Sequence, residues 1–420
     1  MRRPSVLFIN RVYPPVRGAT GRVLRDLARS FAREGWQVTV ITTGPKALKE
    51  RDGGVRVIRV KGAAKPTSVF GYSWIWLKML VTALRQPKTH LLVTMSDPPL
   101  LVLAGQIIKK IKGTRHINWC HDLYPDLLPA LGVWVPGFVM NFFRRLSRAA
   151  MRDADKVIVI GRCMARHLTY DGIDPRHMTM IPNWPDSELA RTGGESALEG
   201  VFMNGAAGNG FKPHEAQLKD GPKFRVLYAG NLGLAHPIDT ILDAAEILNA
   251  GHPEIEFVFV GDGPRFDEIV QERSHRRLDN IRLLPYQPSS LLRSMMESGD
   301  IHLISIREDV AGLLVPCKLY SALAVQRPCI FIGPAQSEAA KVISDFKAGA
   351  VVAQGRAQDL AQQILHFRMN GDDWFAAHSG ASAAANIFVP EESIEAWIQR
   401  AWAVVEADMQ VSHEVVGVSA

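Results

Sequence analysis

The sequence predicts two doubly wound, Rossmann-like α/β domains that face each other across a cleft. Three observations lead to this fold class. The chain has 420 residues, which is long for one hydrophobic core. Short apolar runs typical of strands alternate with amphipathic helical segments, as in a parallel sheet covered by helices. The pattern that opens the chain, a strand followed by a glycine-bearing loop and a helix, begins again after residue 222.

The first domain is predicted over residues 1–185. Its strands are expected where apolar residues run together: SVLFIN, QVTVITT, VRVIRV, HLLVTM, HINWC and Val157–Ile160. A helix is expected after the first strand, with Val23, Leu27 and Phe31 on one face and an end at Glu34-Gly35. Another is expected over Leu100–Ile111.

Residues 186–222 are rich in Gly, Ser, Asn and Pro without periodicity, which predicts an interdomain linker with an insertion. The second domain is predicted over residues 223–390, with strands FRVLYAG, EFVFVG, NIRLLPY, DIHLISI and CIFI. A helix over residues 391–408 follows, and residues 409–420 are expected to form a frayed tail.

Charge divides unevenly between the halves. Residues 1–185 contain 30 Lys and Arg against 11 Asp and Glu, a net charge of +19, and the remainder has a net charge of −12. Such asymmetry suggests different partners for the two domains. The segment Phe138–Arg152 has arginines at helical spacing, and its helix could meet an anionic membrane surface or be an ordinary solvated face. No nucleic-acid-binding signature is present, so no nucleic-acid partner is expected.

Secretion and membrane insertion find no support in the sequence. The N-terminus lacks a signal-peptide pattern, and the most apolar stretch, Val69–Leu84, is short for a membrane span and is interrupted by Lys78. Its aromatic part, Phe70–Met79, could be core or could touch lipid. The four cysteines have no metal-binding spacing and fit reduced thiols.

Candidate binding residues cluster where strands of the second half end. The turn at Gly230-Asn231 precedes a helix, and glycine there allows backbone to approach a diphosphate at the helix N-terminus. Gly263 and Tyr286 follow the neighbouring strands, and Lys318 begins a helix after Asp309 and Gly312. Because ligands of such sheets bind beyond the carboxyl ends of the strands, these residues are expected to surround one pocket.

The first half carries two further candidates at strand ends. His121 and Asp122 follow the strand HINWC, where histidine can bond a sugar hydroxyl or move a proton and a carboxylate can accept a hydrogen bond. A structural histidine bonded to backbone is the alternative. The loop from Gly18 through Thr20 to Gly21 leads from a strand into a helix, and a simple tight turn explains it equally well.

The order of these motifs resembles the family-4 glycosyltransferases of the GT-B fold, including bacterial exopolysaccharide and O-antigen enzymes of the colanic-acid and N-acetylfucosamine transferase type. The motifs are YPP with its glycine loop, HDLYPD, IPNWPD, YAGNLG, VGDGP and VPCKLYSALAVQRP. The resemblance implies metal-independent, retaining transfer from a nucleotide sugar, UDP- rather than GDP-linked, without a cofactor. It implies a lipid-linked or nascent glycan acceptor at the cytoplasmic face of the plasma membrane.

By the same resemblance, the second domain binds the donor and the first binds the acceptor, with the last helix crossing back onto the first domain. In the first domain, the resemblance places Gly18, Thr20 and Gly21 near the diphosphate and acceptor, and His121 and Asp122 near the transferred sugar. In the second domain, it places Gly230, Asn231 and Lys318 on the phosphates, with Gly263 beside them. It also places Tyr286 near the base, and Glu308, Asp309 and Gly312 near the sugar.

The chain departs from the family pattern at two places. Relatives carry a Glu-x7-Glu pair whose second member binds ribose, and here these positions are Leu313 and Ser321. The usual Arg/Lys pair for the donor phosphates is also missing from the turn Asn231–His236. Two alternatives therefore stay open: a sugar-nucleotide epimerase of the same fold, and a non-catalytic scaffold that binds nucleotide sugar.

Overall fold

A computed structural model describes residues 3–63, 68–190 and 223–417. Most of the predicted linker and insertion, residues 191–222, lies outside the described residues.

The first domain is built on an eight-stranded sheet of order β3-β4-β2-β1-β5-β6-β7-β8. The strands are β1 Ser5–Ile9, β2 Gln37–Gly44, β3 Leu48–Asp52, β4 Val55–Lys61, β5 Leu91–Thr94, β6 Arg115–Cys120, β7 Lys156–Val159 and β8 Met178–Met180. All neighbouring pairs are parallel except β3 with β4, which form an antiparallel hairpin at the edge. The helices are α1 Ala19–Arg33, α2 Val69–Leu84, α3 Leu101–Lys112, α4 Gly137–Asp153, α5 Arg162–Tyr170 and α6 Ser187–Ala190.

The second domain has a six-stranded parallel sheet of order β11-β10-β9-β12-β13-β14. Its strands are β9 Phe224–Asn231, β10 Ile255–Asp262, β11 Ile281–Leu284, β12 Ile301–Ser305, β13 Cys329–Ile332 and β14 Gly349–Val352. Its helices are α7 Asp239–Asn249, α8 Pro264–His275, α9 Leu292–Glu297, α10 Lys318–Ala324, α11 Glu338–Phe346, α12 Ala357–Met369 and α13 Gly371–Ala385.

The predicted fold class is confirmed by this architecture. Central strands such as β5 and β13 are buried along their whole length, because helices cover both faces of the sheet, and this produces the continuous apolar runs seen in the sequence. Strands β8 and β14 were not predicted, and neither was β3. Its sequence LKERD is polar and largely exposed, so only its pairing with β4 marks it as a strand.

The last helix, α14, spans Pro390–Gly417 and packs against the first domain. The Trp402 ring lies 4.8 Å from that of Trp36, and the Trp397 ring lies 4.7 Å from that of Trp119. The helix continues beyond the predicted end at residue 408, because no proline or glycine interrupts the segment before Gly417.

The two domains share direct contacts beside the cleft. Arg162, at the start of α5, donates its backbone N–H and its Nε–H to the carboxylate of Glu338 on α11, at 2.5 and 2.9 Å. The apolar core of the first domain continues into β12, β13 and α11 of the second. These contacts fix the position of one sheet edge opposite the other.

Candidate functional site

Lys318 is the charged centre of the second domain's sheet edge. It begins α10, and its Nζ lies 3.2 Å from Nε2 of His236 and 5.3 Å from the centre of the Tyr228 ring. Among the described residues, no carboxylate lies within ion-pair distance of this ammonium group. Its charge is therefore available to an anion.

His236 orients that ammonium group. Its Nδ1 lies 2.5 Å from the carbonyl oxygen of Ser305 and donates to it, which leaves Nε2 to accept from Lys318. Burial, followed by the charge of Lys318, lowers the pKa of His236 to about 3. The imidazole is therefore neutral at physiological pH and can hold the lysine without competing for an anion.

Two predicted glycines lie where backbone and side chains come close together. Gly230 has φ +124°, and a Cβ there would lie 3.1 Å from Cε of Lys318. Gly263 has φ +134°, and a Cβ there would lie 2.6 Å from the carbonyl oxygen of Leu232. Both positions favour glycine on conformation and on space. The exposed Asn231 lies between them, its Oδ1 2.9 Å from the Gly263 Cβ position.

Asp122 lies on the opposing edge and meets the loop that leads to Lys318. It forms an isolated antiparallel bridge with Leu314, and the next N–H, of Leu123, donates to the carbonyl oxygen of Leu313 at 2.8 Å. Ser96 Oγ accepts the backbone N–H groups of His121 and Asp122, at 3.1 and 3.0 Å. The structure thus brings Asp122 and the loop before Lys318 together.

The carboxyl of Asp122 has an unusual environment. Burial, helped by the nearby Asp97 carboxylate, raises its pKa to about 7. Asp97 is itself held by Arg11, whose Nε and Nη2 donate to it at 2.6 and 2.8 Å. Arg11 is committed to this ion pair and offsets part of the Asp97 charge beside Asp122.

His121 does not share this setting. The alternation of side chains along β6 continues just past its last residue, Cys120. Asp122 therefore lies with Asn118 and Cys120 around a small pocket, while the His121 ring is 4.7 Å from that of Trp119. Only 4% of His121 is exposed, its Nδ1 is 3.4 Å from Asn183 Nδ2, and its Nε2 has no partner among the described residues. Burial lowers its pKa to about 3, so it is neutral and the structure separates the predicted pair.

The glycine loop of the first domain also reaches the cleft. Gly21 is buried, and a Cβ there would lie 2.9 Å from the Val12 carbonyl oxygen, while Thr20 Oγ1 lies 3.5 Å from Asn10 Nδ2. A Cβ at the exposed Gly18 would meet the Val12 side chain at 2.8 Å. Close contact with Val12, in the loop after β1, thus explains both glycines.

Arg17, beside this loop, was not among the predicted residues. Its guanidinium lies 5.2 Å from the centre of the exposed Tyr286 ring, across the cleft. This cation–π contact joins the two domains. The sequence alone could have singled out Arg17, because it lies beside the glycine-bearing loop that was expected near the diphosphate. Its contact with Tyr286 could not have been predicted.

The remaining predicted residues are divided between cleft and scaffold. Asp309 is exposed and paired with Arg307 at 2.7 Å, and Glu308 is exposed on the same short 3-10 turn. Gly312 has φ +79° and is packed against the first domain, where a Cβ would lie 3.1 Å from the Cys163 carbonyl oxygen. Ser321 lies partly buried on α10, one turn after Lys318.

Metal-ligating and membrane-spanning features were sought in the part of the chain that the structure describes. Among the described residues, no three His, Cys, Asp or Glu side chains gather closely enough to hold a metal ion. In the same part of the chain, no helix is long and apolar enough to cross a membrane.

Two protein-family profiles match the chain. One is described as "Glycosyl transferase 4-like domain" and matches residues 18–184, and the other, "Glycosyl transferases group 1", matches residues 223–370. Together they cover both α/β domains described above.

Two curated bacterial proteins are similar in sequence. The probable glycosyltransferase WbjE of Pseudomonas aeruginosa is 24% identical over 256 residues, which are 60% of this chain and 60% of that protein. The putative colanic acid biosynthesis glycosyl transferase WcaI of Escherichia coli (strain K12) is 25% identical over 264 residues, which are 61% of each chain. The chain thus spans about 60% of the length of the curated relatives it matches.

Solved structures share the overall fold. Anabaena Alr3699/HepE, crystallised with UDP-glucose, superimposes with a TM-score of 0.69 at 15% identity, covering 96% of this chain and 99% of that one. WaaG, a glycosyltransferase involved in lipopolysaccharide biosynthesis, superimposes with a TM-score of 0.67 at 14% identity, covering 93% and 98%. At this identity the likeness concerns the fold.

Proposed function

Because the chain belongs to the glycosyltransferases of the GT-B fold, as its sequence motifs predicted, we propose that it transfers a sugar from a nucleotide-diphosphate sugar to a glycan acceptor. The acceptor is a lipid-linked or nascent glycan in polysaccharide biosynthesis, and the name of the relative WcaI, which refers to colanic acid biosynthesis, supports this choice. Transfer proceeds with retention of configuration and without a metal ion.

Lys318 is the observation that carries this proposal. It is an ammonium group without a carboxylate partner among the described residues, held by neutral His236 at 3.2 Å beside Gly230 at the carboxyl edge of the second sheet. Departure of a nucleotide diphosphate builds negative charge on its phosphate oxygens, and a pre-positioned cation stabilises that charge more in the transition state than in the bound donor. Arg17 at the mouth of the cleft can add to this stabilisation.

Asp122 supplies the acceptor side of the reaction. Its carboxyl lies at the opposing edge, and its pKa near 7 lets it accept a hydrogen bond from a sugar hydroxyl once it is ionised. Contact between the domains at Leu313 and Leu314 keeps this group close to the donor loop. Exclusion of water by the closed cleft limits hydrolysis of the donor.

A uridine nucleotide is the preferred donor in this proposal. Structures of HepE contain UDP and UDP-glucose, and Tyr286 offers an aromatic ring at the edge of the second sheet for the base. The basic first domain, with a net charge of +19 over residues 1–185, attracts the protein to the anionic inner face of the plasma membrane as a peripheral protein.

The proposal is tested by radiolabel transfer. The purified chain is incubated with membrane extract and a panel of UDP- and GDP-sugars, with and without EDTA. We expect transfer into lipid-extractable or polymeric glycan from a UDP-sugar, with equal rates in both conditions. Transfer abolished by EDTA contradicts the metal-independent mechanism, and release of an epimerised sugar nucleotide without acceptor identifies an epimerase instead. Nucleotide-sugar binding with no turnover identifies a scaffold.

A further inference from the structure

A groove on the outer side of the first domain belongs to neither sheet edge of the cleft. It lies between the β3–β4 hairpin and α2 and has a volume of about 600 Å³, within the usual range for small-molecule sites. The residues that line it are Ala47, Leu48, Lys49, Ile58, Arg59, Val60, Lys61, Trp74, Leu77, Lys78, Val81, Thr82 and Arg85.

The groove is apolar along one side of α2. Trp74, Leu77 and Val81 follow one another at helical spacing and line it, and Phe70 extends the same stripe by one turn. Phe70, Trp74 and Leu77 are 89%, 57% and 44% exposed, and Leu48 on β3 is 51% exposed. Ile58 and Val60 of β4 complete the lining. Large apolar side chains exposed side by side in this way are typical of a binding surface.

Cations surround this apolar surface. Lys49, Lys61, Lys78 and Arg85 line the groove, and none of the described residues that line it is a carboxylate. Arg59 also lines it but is engaged with Glu50 at 2.7 Å. The Lys78 ammonium lies 5.2 Å from the centre of the Trp74 ring and donates to the Lys61 carbonyl oxygen at 3.1 Å. An apolar floor with a cationic rim is complementary to an anionic amphiphile.

We propose that this groove binds an anionic phospholipid of the bilayer, with an acyl chain against Trp74, Leu77 and Val81 and the phosphate among Lys49, Lys61 and Lys78. The proposal rests on the peripheral membrane attachment proposed above, and it names the surface that makes the attachment. It also orients the protein. Arg59, in the groove wall, donates to the carbonyl oxygen of Tyr13 at 3.4 Å, so the docked surface adjoins the loop that leads into the cleft.

The helix α4, which the sequence suggested as a membrane-facing helix, is less suitable. Its Arg148 is buried and bonds Asp126 and Asp171, at 2.7 and 2.6 Å, and Arg144 bonds Asp126 at 2.5 Å. Two of the three spaced arginines therefore stabilise the first domain internally. Phe138 and the nearby Trp134 are exposed on that side.

The experiment compares two exposed tryptophans. Binding to vesicles of equal parts phosphatidylglycerol and phosphatidylcholine, with bromine on the acyl chains, is followed by quenching of tryptophan fluorescence. We expect quenching in the wild type and in Trp134→Phe, and loss of most of it in Trp74→Phe. Quenching lost in Trp134→Phe but kept in Trp74→Phe overturns the proposal, because it places the α4 side in the bilayer.

Charge variants give a second readout by co-sedimentation with the same vesicles. Lys49→Gln and Lys78→Gln are each expected to weaken partitioning about fivefold, whereas Lys110→Gln, exposed on α3 outside the groove, leaves it unchanged. Equal effects at all three positions overturn the proposal in favour of diffuse electrostatic attraction. Thermal unfolding and UDP binding of each variant confirm that the fold is intact. Since neither readout requires sugar transfer, failure of the proposed enzymatic activity is detected separately.

Discussion

The two sheet edges of this protein are built alike and charged differently. Each begins with a strand, a glycine-bearing turn and a helix, β1 with α1 in the first domain and β9 with α7 in the second. At the second edge, Lys318 is held by a neutral histidine and has no carboxylate partner among the described residues. At the first edge, Arg11 is bound to Asp97, and the remaining group, Asp122, has a pKa near 7.

Under the proposed function, one backbone frame serves two chemical tasks. The Lys318 ammonium, which has no carboxylate partner among the described residues, lies beside closely packed backbone and suits a ligand with two phosphates. The Asp122 carboxyl, whose pKa is near 7, suits a hydroxyl group. The following changes test whether donor and acceptor tasks are divided between the edges in this way.

The largest effect is expected from Lys318→Ala. Removing the cation that faces the diphosphate should lower kcat/KM about 1000-fold, in line with the loss of one strong transition-state contact, and should weaken UDP binding. Steady-state transfer and calorimetric titration with UDP measure both. Lys341→Ala, on α11 of the same domain, is the matched control and should behave as wild type. Unchanged UDP affinity in Lys318→Ala would place the diphosphate elsewhere.

Asp122→Asn is expected to act on turnover alone. The amide keeps the shape of the side chain but cannot become a carboxylate, so the rate should fall about 100-fold, while UDP binding stays at the wild-type level because the group lies on the other edge. The same two assays apply. If UDP affinity falls together with the rate, the division of tasks between the edges is wrong.

Much of this arrangement could be predicted from the sequence, and the reasons are physical. Buried parallel strands give apolar runs, and glycines mark turns, so the strand ends, and the location of Gly230, Asp122 and Lys318 beyond them, could be predicted. The roles of these residues stay predictions. The fold class followed from the same runs. The polar edge strand β3 lacks this signal and was missed.

Side-chain direction and partners were less predictable. His121 and Asp122 are adjacent in sequence, yet strand geometry turns them to opposite faces, and only the burial of Trp119 and Trp397 shows which face is core. The pairing of His236 with Lys318 spans 82 positions, and that of Arg17 with Tyr286 joins two domains. Contacts this distant depend on tertiary packing, and no local pattern reports them.

A smaller effect is expected from Gly230→Ala, which tests the space beside Lys318. The residue has φ +124°, and its new Cβ would lie 3.1 Å from Cε of Lys318. Backbone strain costs about 1–3 kcal/mol, and displacement of the lysine should weaken UDP binding about tenfold. Gly355→Ala is the control, since its φ is +82° but a Cβ there meets nothing within 4 Å. Equal UDP affinities in Gly230→Ala and Gly355→Ala would mean that backbone strain, and not displacement of Lys318, accounts for the effect.

The smallest change, and the most specific to the first edge, is a shift in the pH dependence of transfer. With a pKa of about 7, Asp122 is protonated below neutral pH, so the rate should rise with pH and level off above 7. Asp97→Asn removes a like charge that raises this pKa and frees the positive charge of Arg11. Both changes favour the ionised form, and the rising limb should move about 1 pH unit lower.

This shift is measured as the midpoint of the normalised kcat/KM profile, which does not depend on how much enzyme stays folded after Arg11 loses its partner. Asp174→Asn removes a carboxylate that is paired with Arg176 on the exposed surface, and it should leave the midpoint in place. UDP binding should show no corresponding midpoint in either variant, because Lys318 belongs to the other edge. If the rising limb of the pH profile stays at the same pH in Asp97→Asn, a group other than Asp122 controls the rate. Asp122 and the first sheet edge would then have only a structural role.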